Sequence, residues 1–599
     1  MSEDSVFTRP HIPCWDTGNV DKAITLTAKL GDESLHYFMA CHNPIKNLKD
    51  EKNNENINEE KFFHKIFSPQ DDLNKLVIVQ GDPGTGKSHL VHWLMRRCLS
   101  HLKNEGFKNT PLNKVLPVIV QRKDGTLKNV LMQIIEQLPK KYHKHLKPVK
   151  ESIETLGKDD VREKLAEHMS VELGSRWKDR NPDEPMPDDF RNLKEYFRVT
   201  GSREHLCRDG GTIDRVVKSL SEQDIEETDE SIVFVEKDLD IPAKQMIEQG
   251  VLTGDLAILI DDILDDPEIK NYAIEIMNKA LPHATTTLTG LGGAGKSLTD
   301  IFDEIRKELK TEGKTLALFI EDVTVFKVLD KEIVMAVEPK ERADLCTLVA
   351  VLGMTKRGYQ VLEDNMKQRV KHNVLLEASD QNWDNDHEAI NRFTARYLNA
   401  IRLDEKEVKK ISRERLDNFD GDINESKCTE CKIKKECLKI FGGVDFGDTT
   451  VGLFPFSKVA PSNIIGKVRE EIRIKDGLTP RLWLDQVLSP ALKQISDVGG
   501  TRKFPNQKGM SLFINEPTYW TSFENKFCGN WVDFDKKRMA LMATCWIDED
   551  SAERAAGKLE PLIRPFEFPK YTSKPDTTDS IETEEPQKSE PPKPKPKES

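Results

Sequence analysis

The chain has 599 residues and a net charge of −13, with 32% charged and 37% hydrophobic residues. This length allows several domains, and no stretch approaches the ~20 apolar residues that a membrane-spanning helix needs, so we expect a soluble protein without a membrane partner. The acidic balance argues against a protein that coats nucleic acid through its overall field, although a local basic surface remains possible.

The first 138 residues have the pattern of an opening α/β domain. Residues 1–75 form an N-terminal segment, and its polar stretch KNLKDEKNNENINEE predicts a loop or linker. LNKLVIVQ and KVLPVIVQ are typical of buried parallel strands, and each precedes a stretch with helical spacing. Residues 76–138 are therefore the expected first half of a parallel-sheet core. The N-terminus lacks a signal-peptide layout and most cysteines are scattered, which indicates a cytoplasmic location.

The rest of the chain divides by composition. Sheet-like runs return in KTLALFIEDVTVF and ADLCTLVAVLGMT, whereas the segments around them are charged and helical in pattern. The C-terminal KYTSKPDTTDSIETEEPQKSEPPKPKPKES, from Lys570 onward, cannot form a core. We expect a mostly helical insertion at 139–297, the second half of the core at 298–380, a helical lid with a cysteine cluster at 381–500, a C-terminal subdomain at 501–569, and a disordered tail at 570–599.

GDPGTGKS has both the spelling and the setting of a phosphate-binding loop. A buried strand precedes it and an amphipathic helix follows, so backbone N–H groups of the glycine-rich turn can surround phosphates. In such a loop the lysine reaches the β and γ oxygens and the serine hydroxyl binds magnesium. The predicted ATP site consists of Gly81, Asp82, Pro83, Gly84, Thr85, Gly86, Lys87 and Ser88.

A second segment, Gly290–Ser297, repeats this spelling without the setting. Its leading ATTTLTG has one large apolar side chain, a poor match to a strand buried on both faces. We interpret it as a glycine-rich turn in which Ser297 caps the following helix, with Asp300 three residues on. The alternative, in which Lys296 meets another anion, remains open.

ATP hydrolysis needs a carboxylate near the metal and one that orients the attacking water. LAILIDD (256–262) continues with helical spacing, whereas LALFIED (316–322) has the pattern of a strand end. We therefore assign Glu321 to the magnesium shell and Asp322 to the attacking water, the reverse of the usual order. The alternative is that both acids are merely exposed at a strand end.

Three further residues follow the acidic pair at positions that suit a nucleotide site. Thr355 ends the next strand, where it can bond the attacking water or the γ-phosphate. Arg369 precedes an apolar run and can project into a neighbour's site, although a surface arginine is the alternative. Arg481 begins a lid helix from which it can touch the γ-phosphate.

Taken together, these motifs resemble those of the AAA+ ATPases, closest to the branch shared with origin-recognition and STAND-type signalling ATPases. GDPGTGKS matches Walker A, LALFIED an altered Walker B, Thr355 sensor 1, Arg369 the arginine finger, and Pro480-Arg481 sensor 2. The resemblance implies a P-loop core with a lid, ATP and Mg²⁺ as cofactors, ATP hydrolysis, and a homo-oligomer. The reversed acids leave the rate of hydrolysis open.

More narrowly, FMACHNP, GKSHLVHWL, CTECKIKKECLKIFGG and LTPRLWLDQVL look similar to large ATPase subunits of bacterial DNA-modification and antiphage islands. The nearest are ATPases of 7-deazaguanine (Dpd) islands, and ATPases of BREX systems are more distant. This likeness implies a motor or remodelling subunit that acts on DNA with a partner nuclease or helicase. The alternative is a nucleotide-gated switch that hydrolyses little ATP and controls a partner effector.

Cys428, Cys431 and Cys437 form a compact cluster among lysines. A C-x2-C spacing makes a chelating turn, so zinc is the first expectation, with an iron–sulfur cluster or reduced thiols as alternatives. A closed zinc site needs a fourth ligand, for which Cys528, Cys545 and His387 are candidates. The lysines of this cluster and of PKKYHKHLKPVK are candidates for DNA contact or for solvated helix faces.

Overall fold

The computed structural model of the protein describes residues 14–24, 32–67, 74–103, 114–121, 133–144 without 135, 161–221 without 183, 232–241, 255–288, 298–323, 334, 337–339, 342–377 without 363, 387–417, 423–472, 479–496, 504–505 and 516–573. Residues 574–599 of the predicted tail and the second loop, 290–297, lie outside these ranges. The first residues of that tail, 570–573, are instead ordered, and the Tyr571 ring stacks on that of Trp531 at 5.9 Å. No helix in the described part of the chain is long and apolar enough to cross a bilayer.

A mostly parallel sheet forms the centre of the protein, which confirms the predicted α/β class. Its strands follow the order β2-β1-β7-β3-β6-β5-β4, and the five from β7 to β4 are parallel. The antiparallel β1 and β2 extend one edge, and β8 pairs with β9 in a separate hairpin. The strands are β1 (Leu48–Asp50), β2 (Glu55–Ile57), β3 (Lys75–Gly81), β4 (Val115–Val120), β5 (Thr315–Val323), β6 (Leu348–Met354), β7 (Val370–Leu376), β8 (Gly443–Phe446) and β9 (Thr449–Gly452).

Strand β3 lies where the order of the sheet reverses. From β3 the chain passes to β4 at the far edge, returns through β5 and β6, and then crosses to β7 on the other side of β3. In open α/β sheets, ligands bind beyond the carboxyl ends of the strands at such a switch point, because the flanking connections leave on opposite faces and open a crevice. The loop 81–88 follows β3 at this place.

Both faces of the sheet are buried. Along β3, Leu76 and Ile78 join one hydrophobic core, and Val77 and Val79 join another. Because successive strand residues face opposite sides, a strand covered on both faces is apolar throughout. This burial explains why the strand runs were recognisable in the sequence.

Helices cover the sheet and build the remaining units. They are α1 (Thr17–Ala23), α2 (Asp32–Cys41), α3 (Glu59–Ile66), α4 (Lys87–Lys103), α5 (Val161–Leu173), α6 (Trp177–Arg180), α7 (Thr200–Leu206), α8 (Thr212–Ser221), α9 (Glu236–Leu239), α10 (Asp255–Asp265), α11 (Pro267–Leu288), α12 (Leu298–Thr311), α13 (Lys356–Gln360), α14 (Asp364–Arg369), α15 (His387–Arg402), α16 (Glu405–Asp417), α17 (Lys434–Phe441), α18 (Ala460–Ile472), α19 (Pro480–Leu482), α20 (Ser489–Ser496), α21 (Trp520–Phe527), α22 (Asp533–Cys545) and α23 (Ala552–Ile563). A π-helical stretch, Trp483–Leu488, joins α19 to α20. Short 3₁₀ turns lie at Lys140–Tyr142, Asp188–Phe190 and Leu193–Phe197.

The described residues between 139 and 288 form helices joined by turns and loops. Helices α5 to α11 pack in the same hydrophobic core as one face of the sheet. The run LAILIDD lies inside α10, which agrees with its assignment to a helix rather than to a strand end.

The polar stretch after residue 45 was predicted to be a loop or linker, but it forms the edge of the sheet. Strands β1 and β2 form a hairpin there, and Asp50 pairs with Val374 of β7. The Asp50 carboxylate is fully buried and accepts hydrogen bonds from His372 Nδ1 at 2.8 Å and Asn53 Nδ2 at 2.7 Å. Hydrogen bonds to a buried polar side chain therefore stabilise this strand, whereas strand prediction depends on a pattern of buried apolar residues.

The lid extends further than the sequence indicated. Helices α1 and α2, the segment from α15 to α20 and the C-terminal helices α21 to α23 share one hydrophobic core, which includes Trp15, Trp483 and Trp546. The lid also contains the hairpin β8–β9, which the helical pattern did not indicate. Helices α1 and α2 of the N-terminal segment and the C-terminal helices thus pack with the lid, whereas β1, β2 and α3 pack with the sheet.

Candidate functional site

The loop Gly81–Ser88 has the backbone that a phosphate cradle requires. Gly84 and Gly86 have φ angles of +83° and +104°, which side chains with a Cβ rarely adopt. A methyl group on Gly81 would lie 2.7 Å from the carbonyl oxygen of Leu376. Only glycine therefore fits at these positions without distortion. Helix α4, 17 residues long, begins at Lys87 and directs its N-terminus at the loop.

The loop is closed on itself around the carbonyl oxygen of Asp82. This oxygen accepts hydrogen bonds from Thr85 Oγ1 at 2.9 Å and from Lys87 Nζ at 3.0 Å. Burial lowers the pKa of the Lys87 ammonium, and the nearby carboxylates of Asp322 and Asp82 oppose this shift. The ammonium is thus poorly hydrated, which strengthens its attraction to an anionic ligand, whereas the two carboxylates favour its charged form.

A β-bulge shapes the acidic pair at the end of β5. Ile320 pairs with Leu352 and Val323 with Met354, so Glu321 and Asp322 together oppose a single residue of β6. Asp322 has a φ of +48°, which is uncommon for a residue other than glycine. Bulges and strained backbone recur beside active sites, where they redirect a side chain.

The bulge sends the two acids in different directions. The Glu321 carboxylate is buried and contacts Nε2 of His92, which is also buried, on helix α4. Asp322 remains half-buried at the sheet edge, and its charge acts on Lys87. This differs from the expected division of roles, because the acid beside the phosphate loop is the aspartate.

Thr355 and its neighbour Lys356 follow β6 at the same sheet edge. The Thr355 hydroxyl oxygen accepts a hydrogen bond of 3.0 Å from Gly358 N and caps α13, so its proton remains available for donation. Lys356 bridges Asp82 of the loop at 3.3 Å and Glu377 after β7 at 2.9 Å. Lys356 was not predicted, because a single lysine after a strand carries no sequence signal.

The predicted lid arginine lies over the phosphate loop. A Cβ atom on Gly84 would be 2.8 Å from Thr479 Oγ1 and 3.2 Å from Arg481 Cβ. Thr479 caps α19 by accepting a hydrogen bond from Leu482 N at 3.4 Å. The lid therefore contacts the loop directly, with the exposed Arg481 beside it.

Arg369 lies at the opposite edge of the sheet. It immediately precedes β7, whose seven residues at about 3.3 Å each separate it from the loop edge by about 20 Å. Its guanidinium is half-exposed and pairs with Glu338. Arg369 therefore cannot reach the loop of its own chain.

The second loop lacks the strand that a phosphate site needs. Helix α11 runs through Leu288, so residues 284–288 of the leading segment are helical rather than extended. Within this helix Thr285 Oγ1 donates to the Leu281 carbonyl at 2.8 Å. Helix α12 starts at Leu298, which agrees with a turn that precedes a helix.

Buried histidines lie behind the phosphate loop. His42 Nδ1 is 2.7 Å from His89 Nε2, and His42 Nε2 is 2.7 Å from the Glu59 carboxylate. Burial raises the pKa of Glu59 to about 8 and holds the pKa values of His42 and His89 well below 6.5. The sequence signal for this cluster is the spacing of His89 and His92 in GKSHLVH, because residues three apart on the helix after the loop lie on the same face.

Cys428 and Cys431 of the cysteine cluster lie just before helix α17, and Cys437 lies within it. Cys428 and Cys437 are half-buried and Cys431 is exposed. Among the described residues, no three His, Cys, Asp or Glu side chains form a group that could hold a metal. Cys528 and Cys545 are fully buried in the lid core, and His387 begins the 16-residue helix whose far end, about 22 Å away, reaches Cys428.

Comparisons with protein-family models, curated proteins and solved structures find no match to this chain.

Proposed function

We propose that this protein binds ATP with magnesium at Gly81–Ser88 and hydrolyses it. The observation that carries this proposal is the gathering, at one sheet edge, of a glycine-rich turn, the buried Lys87, a helix N-terminus and Asp322. Backbone N–H groups and a lysine at a helix N-terminus complement phosphate. The position at the switch point of the sheet supports the same ligand class.

Magnesium fits the oxygen donors at this edge. Ser88 is exposed at the start of α4, and Asp322 is half-buried nearby. Hydroxyl and carboxylate oxygens suit this hard cation, and the ion supplies charge neutralisation for the phosphates when bound. We assign Ser88 and Asp322 to hold it.

The remaining residues suit stabilisation of the transition state. Thr355 can donate its hydroxyl proton, and Arg481 brings a cation from the lid. A neighbouring copy's Arg369 would complete the site, which favours a homo-oligomer. A role in remodelling or translocating DNA within a defence complex rests on the resemblance described above.

A second function, a nucleotide-gated switch with little hydrolysis, is favoured by the contact between Glu321 and His92. A buried carboxylate engaged by an imidazole is not free to orient water. In this alternative, ATP binding closes the lid over Gly84 and controls a partner effector.

Titration with a fluorescent ATP analogue tests nucleotide binding. Lys87→Ala should weaken affinity about 10- to 100-fold, since hydrogen bonds to charged groups contribute about 1.5–3 kcal/mol. Lys296→Ala, in the second loop, is the matched control and should bind normally. Normal binding by the first variant with loss in the second would refute the assignment.

Steady-state phosphate release, with and without DNA, separates the two functions. A DNA-accelerated rate that Lys87→Ala abolishes supports the motor. ATP binding without turnover on any DNA supports the switch.

A further inference from the structure

Cysteines from distant parts of the chain come together around Arg402, at the end of α15. The Arg402 guanidinium is buried, and its Nη1 donates to Cys428 Sγ at 3.4 Å and to the Gly452 carbonyl at 2.7 Å. Cys14, more than 380 positions before Arg402 in the sequence, lies near the same guanidinium: burial raises the pKa of the Cys14 thiol, and the charge of Arg402 opposes this shift. Cys14 was not among the residues suggested by cysteine spacing.

The sulfur of Cys437 approaches the same place. A Cβ atom on Gly452 would lie 3.6 Å from Cys437 Sγ and 3.8 Å from Cys428 Sγ, so these sulfurs are at most about 7.4 Å apart. Cys431 N donates to the Cys428 carbonyl at 3.4 Å, which closes the turn of the C-x2-C pair. Gly452 N also donates to Cys428 Sγ at 3.4 Å. Backbone N–H groups directed at sulfur are common around metal-bound thiolates.

The neighbours of Cys14 fix its place against the lid. Trp15 Nε1 donates to the Leu492 carbonyl at 3.3 Å, and its ring lies 5.6 Å from that of Phe454. Phe454 in turn offers its carbonyl to Arg402 Nη2 at 2.7 Å. The position of Cys14 therefore follows from packing on both sides of the arginine.

We propose that Cys14 is the fourth ligand of a metal centre formed with Cys428, Cys431 and Cys437. Four thiolates are the donor set shared by structural zinc and by iron–sulfur clusters. The sulfurs do not yet converge, because no three of them form a ligand group in the described residues. A change of χ1 rotamer moves a sulfur by about 3 Å, so metal binding would close the site by side-chain rotation.

Such a centre would link parts of the lid that are far apart in sequence. It would join the start of α1 to the turn before α17 and to the hairpin β8–β9. Arg402 would remain beside it as a donor to the thiolates. The proposal is independent of the ATP site, since none of the four cysteines touches the loop after β3.

Metal analysis of the full chain, purified without oxygen, tests the proposal. Zinc, iron and acid-labile sulfide are measured per chain, and the two alternatives differ in sulfide. Wild type should hold one centre, Cys14→Ser should lose at least about 80% of it, and Cys207→Ser, a half-buried thiol in the insertion, should retain it. Equal metal content in wild type and Cys14→Ser, or none in wild type after reconstitution with zinc and with iron and sulfide, would overturn the proposal.

Two further measurements guard against misfolding of the serine variant. Nucleotide affinity reports whether Cys14→Ser is folded. In wild type, alkylation of Cys14 should be at least tenfold slower in the metal-loaded than in the metal-stripped chain. Equal alkylation rates would overturn the proposal even if the variant does not fold.

Discussion

The chain contains two G-x-x-x-x-G-K-S segments and two apolar runs that end in a pair of acids. The two sets differ in the secondary structure that carries them. GDPGTGKS follows strand β3, and its acids end strand β5. The second G-x-x-x-x-G-K-S follows helix α11, and the acids of LAILIDD lie on helix α10. Parallel strands hold the glycine turn after β3 and the acids of β5 at the same edge of the sheet, with only β6 between them. Helices do not bring the second loop and the acids of α10 to a common sheet edge in this way. The eight-residue spelling is therefore informative only together with the strand that carries it.

The largest effect should come from the acids of the two sets. Asp322→Asn removes the carboxylate beside Lys87, so turnover should fall by at least about 100-fold, as when one preorganised electrostatic group is removed from an active site. Asp262→Asn, on the exposed face of α10, should leave turnover unchanged. Steady-state phosphate release measures both. Equal rates in the two variants would remove the distinction between the strand and helix acids.

Replacing the equivalent glycine of each loop by alanine should have a smaller effect, measured on ATP affinity. Gly84→Ala introduces a Cβ at a φ of +83° and into contact with Thr479, so ATP affinity should fall about 5- to 30-fold. Gly293→Ala occupies the same position in the second loop and should bind normally. Isothermal titration with ATP compares them. A loss confined to Gly293→Ala would reverse the comparison.

The smallest effect concerns Glu59, which lies with histidines behind the first loop. The second loop has no such histidines, because Leu298 and Ile301 stand at the positions of His89 and His92. Burial raises the pKa of Glu59 to about 8, so the folded chain keeps a proton that the unfolded chain releases above about 4.5. Wild-type stability should therefore decrease as pH rises from about 5 to 8. Glu59→Gln removes this dependence, so its melting temperature relative to wild type should rise with pH over that range.

The control for this pH series is Glu60→Gln, because Glu60 is the exposed neighbour of Glu59 on α3. Its melting curve should run parallel to wild type. The lowered pKa values of His42 and His89 cost stability only below about 6.5, and they are present in every variant. Parallel curves for Glu59→Gln and wild type above pH 6.5 would contradict the prediction.

The sequence predicted those elements whose physical signature is local. Strands β3, β5 and β6 contain continuous apolar runs, at residues 76–79, 316–320 and 348–352, because both their faces are buried. The glycine pattern indicates the turn that follows β3. The hairpin β1–β2 was not predicted, because its buried Asp50 is stabilised by hydrogen bonds from His372 and Asn53, and a hydrophobic pattern does not show such bonds.

The parts of the site that the sequence missed depend on contacts between distant segments. The bulge in β5 decides which acid meets Lys87 and which meets His92, and a bulge leaves no signal in residue type. Lys356 gains its partners only when the ends of three strands meet. Cys14 approaches Cys428 only through packing of the lid core.

The lid core has a mechanical consequence. Helices α1 and α2 belong to it, but the chain then leaves for β1 and re-enters the lid only at α15, so two separate peptide connections join lid and sheet. Lid arginines grip the first crossing, where Arg396 Nε donates to Asn43 Oδ1 at 3.1 Å and Arg415 Nη1 donates to the His42 carbonyl. Two chain connections and these side-chain contacts leave the lid fewer ways to separate from the sheet than a single flexible linker would. A cut in the chain at one of the two connections would therefore leave the lid still attached to the sheet.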